Sequence, residues 1–270
     1  MIKPVLHYYD FGKGVVAFST TRQGGYSEGS YGQFNINPYC GDRAETVARN
    51  RQVLCQLLQI DDSRLLMPHQ VHLTKTVTID DDFLSLDNDD RQQRLEGVDA
   101  IMTDRVGVCI GVSTADCIPV LLYDCRHLAV CAIHAGWRGT QQRIVEKAVK
   151  AMTDTYGSRS SDLQAMIGPG IGLDSFEVGD EVYEAFLQAG FDMTAISERR
   201  GKWHINLPLC NKMQLMSMGV TTDHIGLSDI CTYKAHDTFF SARRLGIHSG
   251  RIYTGIMTKQ PSCQQSPDIV

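Results

Sequence analysis

The sequence predicts an α/β fold arranged as one large domain. Four apolar segments, 98–103, 107–112, 118–123 and 128–133, follow one another with short turns between them. Several are apolar at consecutive positions, as in strands of a sheet covered on both faces. Segments with helical spacing of apolar residues lie before and after this run. No repeat period and no linker divides the 270 residues, a length that supports a sizeable core.

The elements follow in order. Residues 15–20 read as a first strand running into the glycine-rich loop Thr21-Arg22-Gln23-Gly24-Gly25-Tyr26-Ser27-Glu28-Gly29-Ser30-Tyr31-Gly32. That loop lacks the Gly-Lys-Ser/Thr ending of a phosphate-binding P-loop, so a plain loop and a ligand loop both stand open. A helix is expected over 42–60, with Val47, Val53, Leu54, Leu57 and Leu58 as its apolar stripe and Asp42 or Thr46 as cap. Asp80-Asp81-Asp82 and Asp87-Asn88-Asp89-Asp90 read as a solvated acidic loop, since their spacing matches no calcium loop. After the four strands, 140–156 reads as one helix that Thr140 opens and Gly157 closes. Residues 163–167 form a strand, 178–189 and 206–218 helices, and 225–227 and 251–257 late strands. The residues past Thr258 are polar, so a frayed tail is expected over about 259–270 of a single domain spanning 1–270.

Composition excludes several classes of function. A net charge of −5 gives no basic surface for nucleic acid or anionic membrane. No apolar run reaches the ~18–20 residues of a membrane span. The opening residues lack the apolar stretch of a signal peptide, so the expected location is the cytoplasm. Nine cysteines is an odd number for a disulfide framework, and Cys55, Cys109 and Cys131 sit in apolar runs as small hydrophobes.

Cys117 is different. It follows Asp116, precedes Pro119, and belongs to a strand pair whose second member ends at His134. With Cys125 and Arg126 as a two-residue hairpin loop, Cys117 stands opposite His134, and opposed Cβ atoms lie ~4.5–5.5 Å apart. A thiol and an imidazole so placed form a nucleophile–base pair or part of a zinc site. Upstream, Pro68-His69-Gln70-Val71-His72 offers two more histidines on opposite faces of an extended chain, so one of them faces a site unless the backbone bends. The arginines of Phe239-Phe240-Ser241-Ala242-Arg243-Arg244 suit either an anion or a surface ion-pair cluster.

Several blocks together resemble one family: Thr21 to Ser27; Gly41-Asp42 with Asn50-Arg51; Gln70-Val71-His72; Thr114-Ala115-Asp116-Cys117; His134-Ala135-Gly136-Trp137-Arg138-Gly139; Ile167 to Ile171; and Phe240 to Arg244. In this order, from about residue 15 to 257, the chain resembles the bacterial laccase-domain, or "polyphenol oxidase", family. Its members also carry the names purine nucleoside phosphorylase and peptidoglycan editing factor. Asn35-Ile36-Asn37 stands where many members have a Leu-containing segment.

The resemblance implies a single-domain layered α/β sandwich with mixed sheets flanked by helices. It implies zinc held by His72, Cys117 and His134; three protein ligands leave the fourth position of a catalytic zinc open. The implied activity is that of a zinc-dependent purine nucleoside enzyme, with phosphorolysis of adenosine, inosine and methylthioadenosine, and adenosine deamination. Nucleoside and phosphate are then the partners. Catalysis would fall to Cys117, His134, His72 and Asp116, and anion holding to Arg22, Arg51, Arg138, Arg243 and Arg244. Nine histidines with no His-X-His pair argue against multicopper chemistry, so copper ranks below zinc. The second reading is a metal-free Cys-His hydrolase or amidase acting on peptidoglycan precursors, with Cys117 as nucleophile, His134 as base and His72 or Asp116 orienting the imidazole. A third is a binding protein with structural zinc, against which the open coordination position counts.

Overall fold

The computed structural model describes residues 3–259, so the expected frayed tail past Lys259 lies outside the described residues. Two mixed sheets dominate. The six-stranded sheet runs, in spatial order, Ile225–Leu227, Leu163–Ile167, Ile118–Asp124, Ala129–Ala135, Ala100–Thr103 and Thr76–Thr78. Its outermost pairs are parallel and its central ones antiparallel. The five-stranded sheet runs Leu6–Tyr9, Val15–Thr20, Ile252–Thr258, Cys109–Thr114 and Leu65–Leu66. A three-stranded sheet of Glu177–Val178, Lys202–Ile205 and Ser197–Arg200 flanks them.

Residue alternation explains the layers. One side of the strands Ile118–Asp124 and Ala129–Ala135 sends Leu121, Tyr123, Val130 and Ala132 into a core shared with Ala17, Ile110, Val112 and Ile256 of the five-stranded sheet. The other side sends Val120, Leu122, Cys131 and Ile133 against the helices Ile144–Tyr156 and Leu207–Ser217. The helix Ala44–Leu58 covers the outer face of the five-stranded sheet through Leu54 and Leu58 against Phe18, Cys109 and Tyr253. The result is the layered sandwich. The continuous apolar strands reflect burial on both faces, worth roughly 1.5–3 kcal/mol for each large apolar side chain.

Four local expectations need correction. The hairpin register is shifted by two residues: Pro119 pairs with His134 and Asp124 with Ala129. The cause is Asp124, fully buried, whose carboxylate accepts the N–H groups of Arg126 and His127 at 2.8 and 3.3 Å and holds a turn of residues 125–128. An even shift preserves the faces, so His134 stays on the inter-sheet side.

The helix expected over 140–156 is broken into Trp137–Gln141 and Ile144–Tyr156, with Arg143 left-handed at φ 65°. Gln214 bridges the break, donating to the Thr140 carbonyl at 2.8 Å and accepting from the Val145 N–H at 3.2 Å. Thr140 is therefore buried inside the first piece, while Gly157 closes the second as expected. The acidic stretches form short helices, Asp81–Ser85 and Asn88–Arg94, capped by Asp80 and Asp87 through the N–H groups of Phe83 and Asp90. The helix Ala44–Leu58 begins at Arg43 without a side-chain cap from Asp42 or Thr46.

Candidate metal centre

Three segments bring His72, Cys117 and His134 together at one end of the sandwich. One ligand atom from each lies within 4.8 Å of the other two. Among the described residues no other trio of histidine, cysteine or carboxylate side chains meets this condition. The His72 and His134 rings sit 4.7 Å apart, nearly perpendicular. His134 is buried at the end of its strand. Cys117 lies in the bend after the strand Cys109–Thr114, next to Asp116 in a left-handed conformation at φ 86°. His72 is itself left-handed, φ 63°, so the backbone does bend, and both histidines of the motif face one cavity while only His72 joins the trio.

The His72 segment is fixed from two sides. Gln70 accepts from the Ser113 N–H at 2.7 Å and donates to its carbonyl at 2.8 Å, which ties the segment to the strand Cys109–Thr114. Asp99, fully buried, accepts from the N–H of His72 at 2.9 Å and of Leu73 at 2.8 Å. It also accepts from His134 Nδ1 at 2.7 Å. The same carboxylate thus sets the loop of one candidate ligand and the tautomer of another, leaving His134 Nε2 free to ligate. Burial pushes the Asp99 carboxyl up, but the hydrogen bonds from His134, Leu73 and His72 more than offset this and hold it below its ordinary range. Sequence reasoning missed Asp99. Its signal was a lone carboxylate heading the apolar run Ala100–Thr103, where a buried charge needs partners.

Burial also raises the Cys117 thiol, but His134 and His72 beside it outweigh that and bring it down to about 6. Burial lowers His134, and Cys117 and Asp99 reverse this to about 9. Both directions describe a thiolate beside an imidazolium, the charge state that a cation replaces. Gly136 makes room for the trio: a Cβ there would lie 2.8 Å from His72 Cδ2 and 3.2 Å from Cys117 Sγ. A Cys/His/His set with a carboxylate behind one imidazole fits zinc, and its thiolate disfavours magnesium and calcium.

The trio opens into a cavity of about 360 Å³ lined also by Asn37, Tyr39, His69, Thr114, Ile247 and Arg251. The other residues read as functional lie around it in different ways. Asp116 spends its carboxylate on Thr232 Oγ1 and the Arg243 N–H, both at 2.7 Å, tying the Cys117 bend to the segment that carries the paired arginines. Arg22 donates to the Gly32 and His236 carbonyls, and Arg51 pairs with Asp62 and the Leu65 carbonyl. Arg138 lies over Trp137, Arg243 over Phe176 and Arg244 over Tyr233. None of these five arginines lines the cavity; Arg251 does. The glycine-rich loop is stapled down by Asn50, which accepts from the Tyr26 N–H and donates to Ser27 Oγ, and it too stays off the cavity wall.

Comparison with known proteins agrees with this architecture. The family described as "Multi-copper polyphenol oxidoreductase laccase" matches residues 16–259. A protein of Bacteroides thetaiotaomicron named purine nucleoside phosphorylase is 51% identical over 243 residues, covering 89% of this chain and 90% of its own. A protein of an unknown prokaryotic organism named adenosine deaminase RL5 is 44% identical over 260 residues, covering 94% and 99%. The crystal structure of YlmD from Geobacillus stearothermophilus superposes with a TM-score of 0.86 at 29% identity, over 92% of this chain and 93% of that one.

Proposed function

The chain belongs to the multi-copper polyphenol oxidoreductase laccase family, and from that premise we propose that it is a zinc-dependent purine nucleoside enzyme. The substrates in this reading are adenosine, inosine and methylthioadenosine for phosphorolysis, and adenosine for deamination. The observation that carries it is the convergence of His72, Cys117 and His134 on one cavity, in a chain similar to proteins named for both activities.

His72, Cys117 as thiolate and His134 through Nε2 would hold the metal. Zinc, when bound, supplies Lewis acidity and brings the ionisation of water down to about pH 7. Asp99 keeps the His134 proton on Nδ1. Asp116 is a positioning residue for the Cys117 bend. Among the described residues Arg251 is the arginine that lines the cavity, its guanidinium also donating to the Ile247, Ser249 and Gly250 carbonyls, and Arg243 and Arg244 follow Ala242 on the wall; these three are the candidates for holding phosphate. Zinc is preferred to the copper in the family's description, because among the described residues one cluster of three ligands supports one ion. We also propose one catalytic domain over 1–270, because the cavity draws on residues from Asn37 to Arg251 and on both large sheets.

One observation favours a second reading. Cys117, His134 and Asp99 form a thiol–imidazole–carboxylate series, the arrangement of a cysteine hydrolase, for which peptidoglycan precursors are the candidate substrates. The two readings separate in one assay. Zinc-loaded protein is given adenosine and inosine with and without phosphate. Phosphate-dependent release of adenine and hypoxanthine supports phosphorolysis, and phosphate-independent conversion of adenosine to inosine and ammonia supports deamination. Untouched nucleosides, with Cys117 readily alkylated, favour the hydrolase.

A further inference from the structure

His69 lines the same cavity as the candidate metal trio but takes no part in it. Its Nδ1 is gripped by both carboxylate oxygens of Glu96, at 2.7 and 2.9 Å. The backbone reinforces the pair. The His69 N–H donates to the Leu95 carbonyl at 3.1 Å, and the Gly97 N–H donates to the His69 carbonyl at 3.0 Å, on either side of Glu96. The ring lies against Tyr39, 4.3 Å away and 29° from parallel, and Tyr39 is also a cavity wall. Among the described residues the ring's Nε2 has no hydrogen-bond partner, so the imidazole is locked in orientation with one nitrogen unused. A carboxylate on Nδ1 orients the imidazole and leaves Nε2 as the ring nitrogen available to a bound substrate.

Resting on the phosphorolysis reading above, we propose that His69 is the general acid that protonates the departing purine, oriented by Glu96. In the step, a phosphate oxygen forms a bond to ribose C1′ as the C1′–N9 bond breaks. The bonding pair passes into the purine ring, and the Nε2 proton of His69 is transferred to N7. Neutral purine and ribose 1-phosphate leave, and His69 regains its proton from solvent. Tyr39 supplies a flat wall beside the transferring nitrogen.

The test compares inosine with 7-methylinosine, whose purine already carries a positive charge and departs without protonation. Zinc-loaded wild type, His69→Gln and Glu96→Gln are assayed with inorganic phosphate, with zinc content and melting temperature measured on each. The expected result is a kcat for inosine about 100-fold lower in His69→Gln and about 10-fold lower in Glu96→Gln. KM and zinc content stay near wild type, and turnover of 7-methylinosine is spared in both. Equal loss on both nucleosides, or no loss on either, overturns the assignment while leaving the phosphorylase reading intact. A zinc-loaded wild type that cleaves neither nucleoside overturns that reading, and the assignment falls with it.

Discussion

Asp99→Asn is the perturbation that reaches furthest into the site with the smallest change of shape. Oδ1 accepts from the His72 N–H and His134 Nδ1, and Oδ2 from the Leu73 N–H. Whichever way an Asn side chain turns, its NH2 group faces at least one of these donors, so one or two hydrogen bonds are lost. Hydrogen bonds to a charged group contribute roughly 1.5–3 kcal/mol each, so the expected loss of stability is about 1.5–6 kcal/mol, or roughly 3–24 °C in melting temperature for a chain of this size. Removing a carboxylate behind a metal-bound imidazole also weakens metal affinity by about 10–100-fold. The assay is zinc affinity by competition with a chelator at fixed pH, alongside thermal unfolding of the metal-free protein. If Asp99→Asn binds zinc as tightly as wild type, Asp99 does not organise the centre and the geometry has been misread.

Other substitutions probe separate parts of the account. Gly136→Ala places a methyl group between His72 and Cys117, so zinc content and turnover should collapse with little change in melting; retained zinc would contradict it. Cys131→Ala, deep in the core beneath the helices, should leave turnover intact and cost about 1–2 kcal/mol of stability; lost turnover in a folded variant would mark the wrong thiol as active. For Asp124, burial raises the carboxyl, and Ser158 together with His127 and Arg126 of its turn more than offset that and depress it. Its contribution is therefore present above its unfolded value of about 3.9 and is lost as pH falls below it. The stability gap between wild type and Asp124→Asn, followed by denaturant unfolding, should be flat near neutrality and shrink below about pH 4; a gap that does not shrink would refute the assignment.

Much of the fold was legible because periodicity reports burial, and the long elements are buried where the pattern says. The strands 118–123 and 128–133 are the clearest case, since core lies on both of their faces. What escaped depends on single polar side chains acting across the fold. Asp124 lengthens its turn and shifts the hairpin register. Gln214, distant in sequence, satisfies a break in a helix that local pattern reads as continuous. At the site, the sequence offered Cys117 and His134 as a pair through their strands, and His72 through family resemblance. The bend that turns His72 toward the site depends on Asp99, whose local signal, a lone carboxylate heading an apolar strand, marks a buried charge but not its partners. The arginines were the hardest to place, because a guanidinium that binds carbonyls inside the protein, as Arg22 does, has the same sequence signature as one that binds phosphate.

The central claim is that His72, Cys117 and His134 hold one zinc on which nucleoside chemistry depends. The most direct measurement is metal content by mass spectrometry, with phosphate-dependent inosine cleavage on the same samples, for wild type and Cys117→Ala purified without added metal or chelator. The account predicts about one zinc per wild-type chain with cleavage, and neither in a folded Cys117→Ala. Cleavage by metal-free wild type, or a Cys117→Ala protein that keeps both its zinc and its turnover, would contradict it.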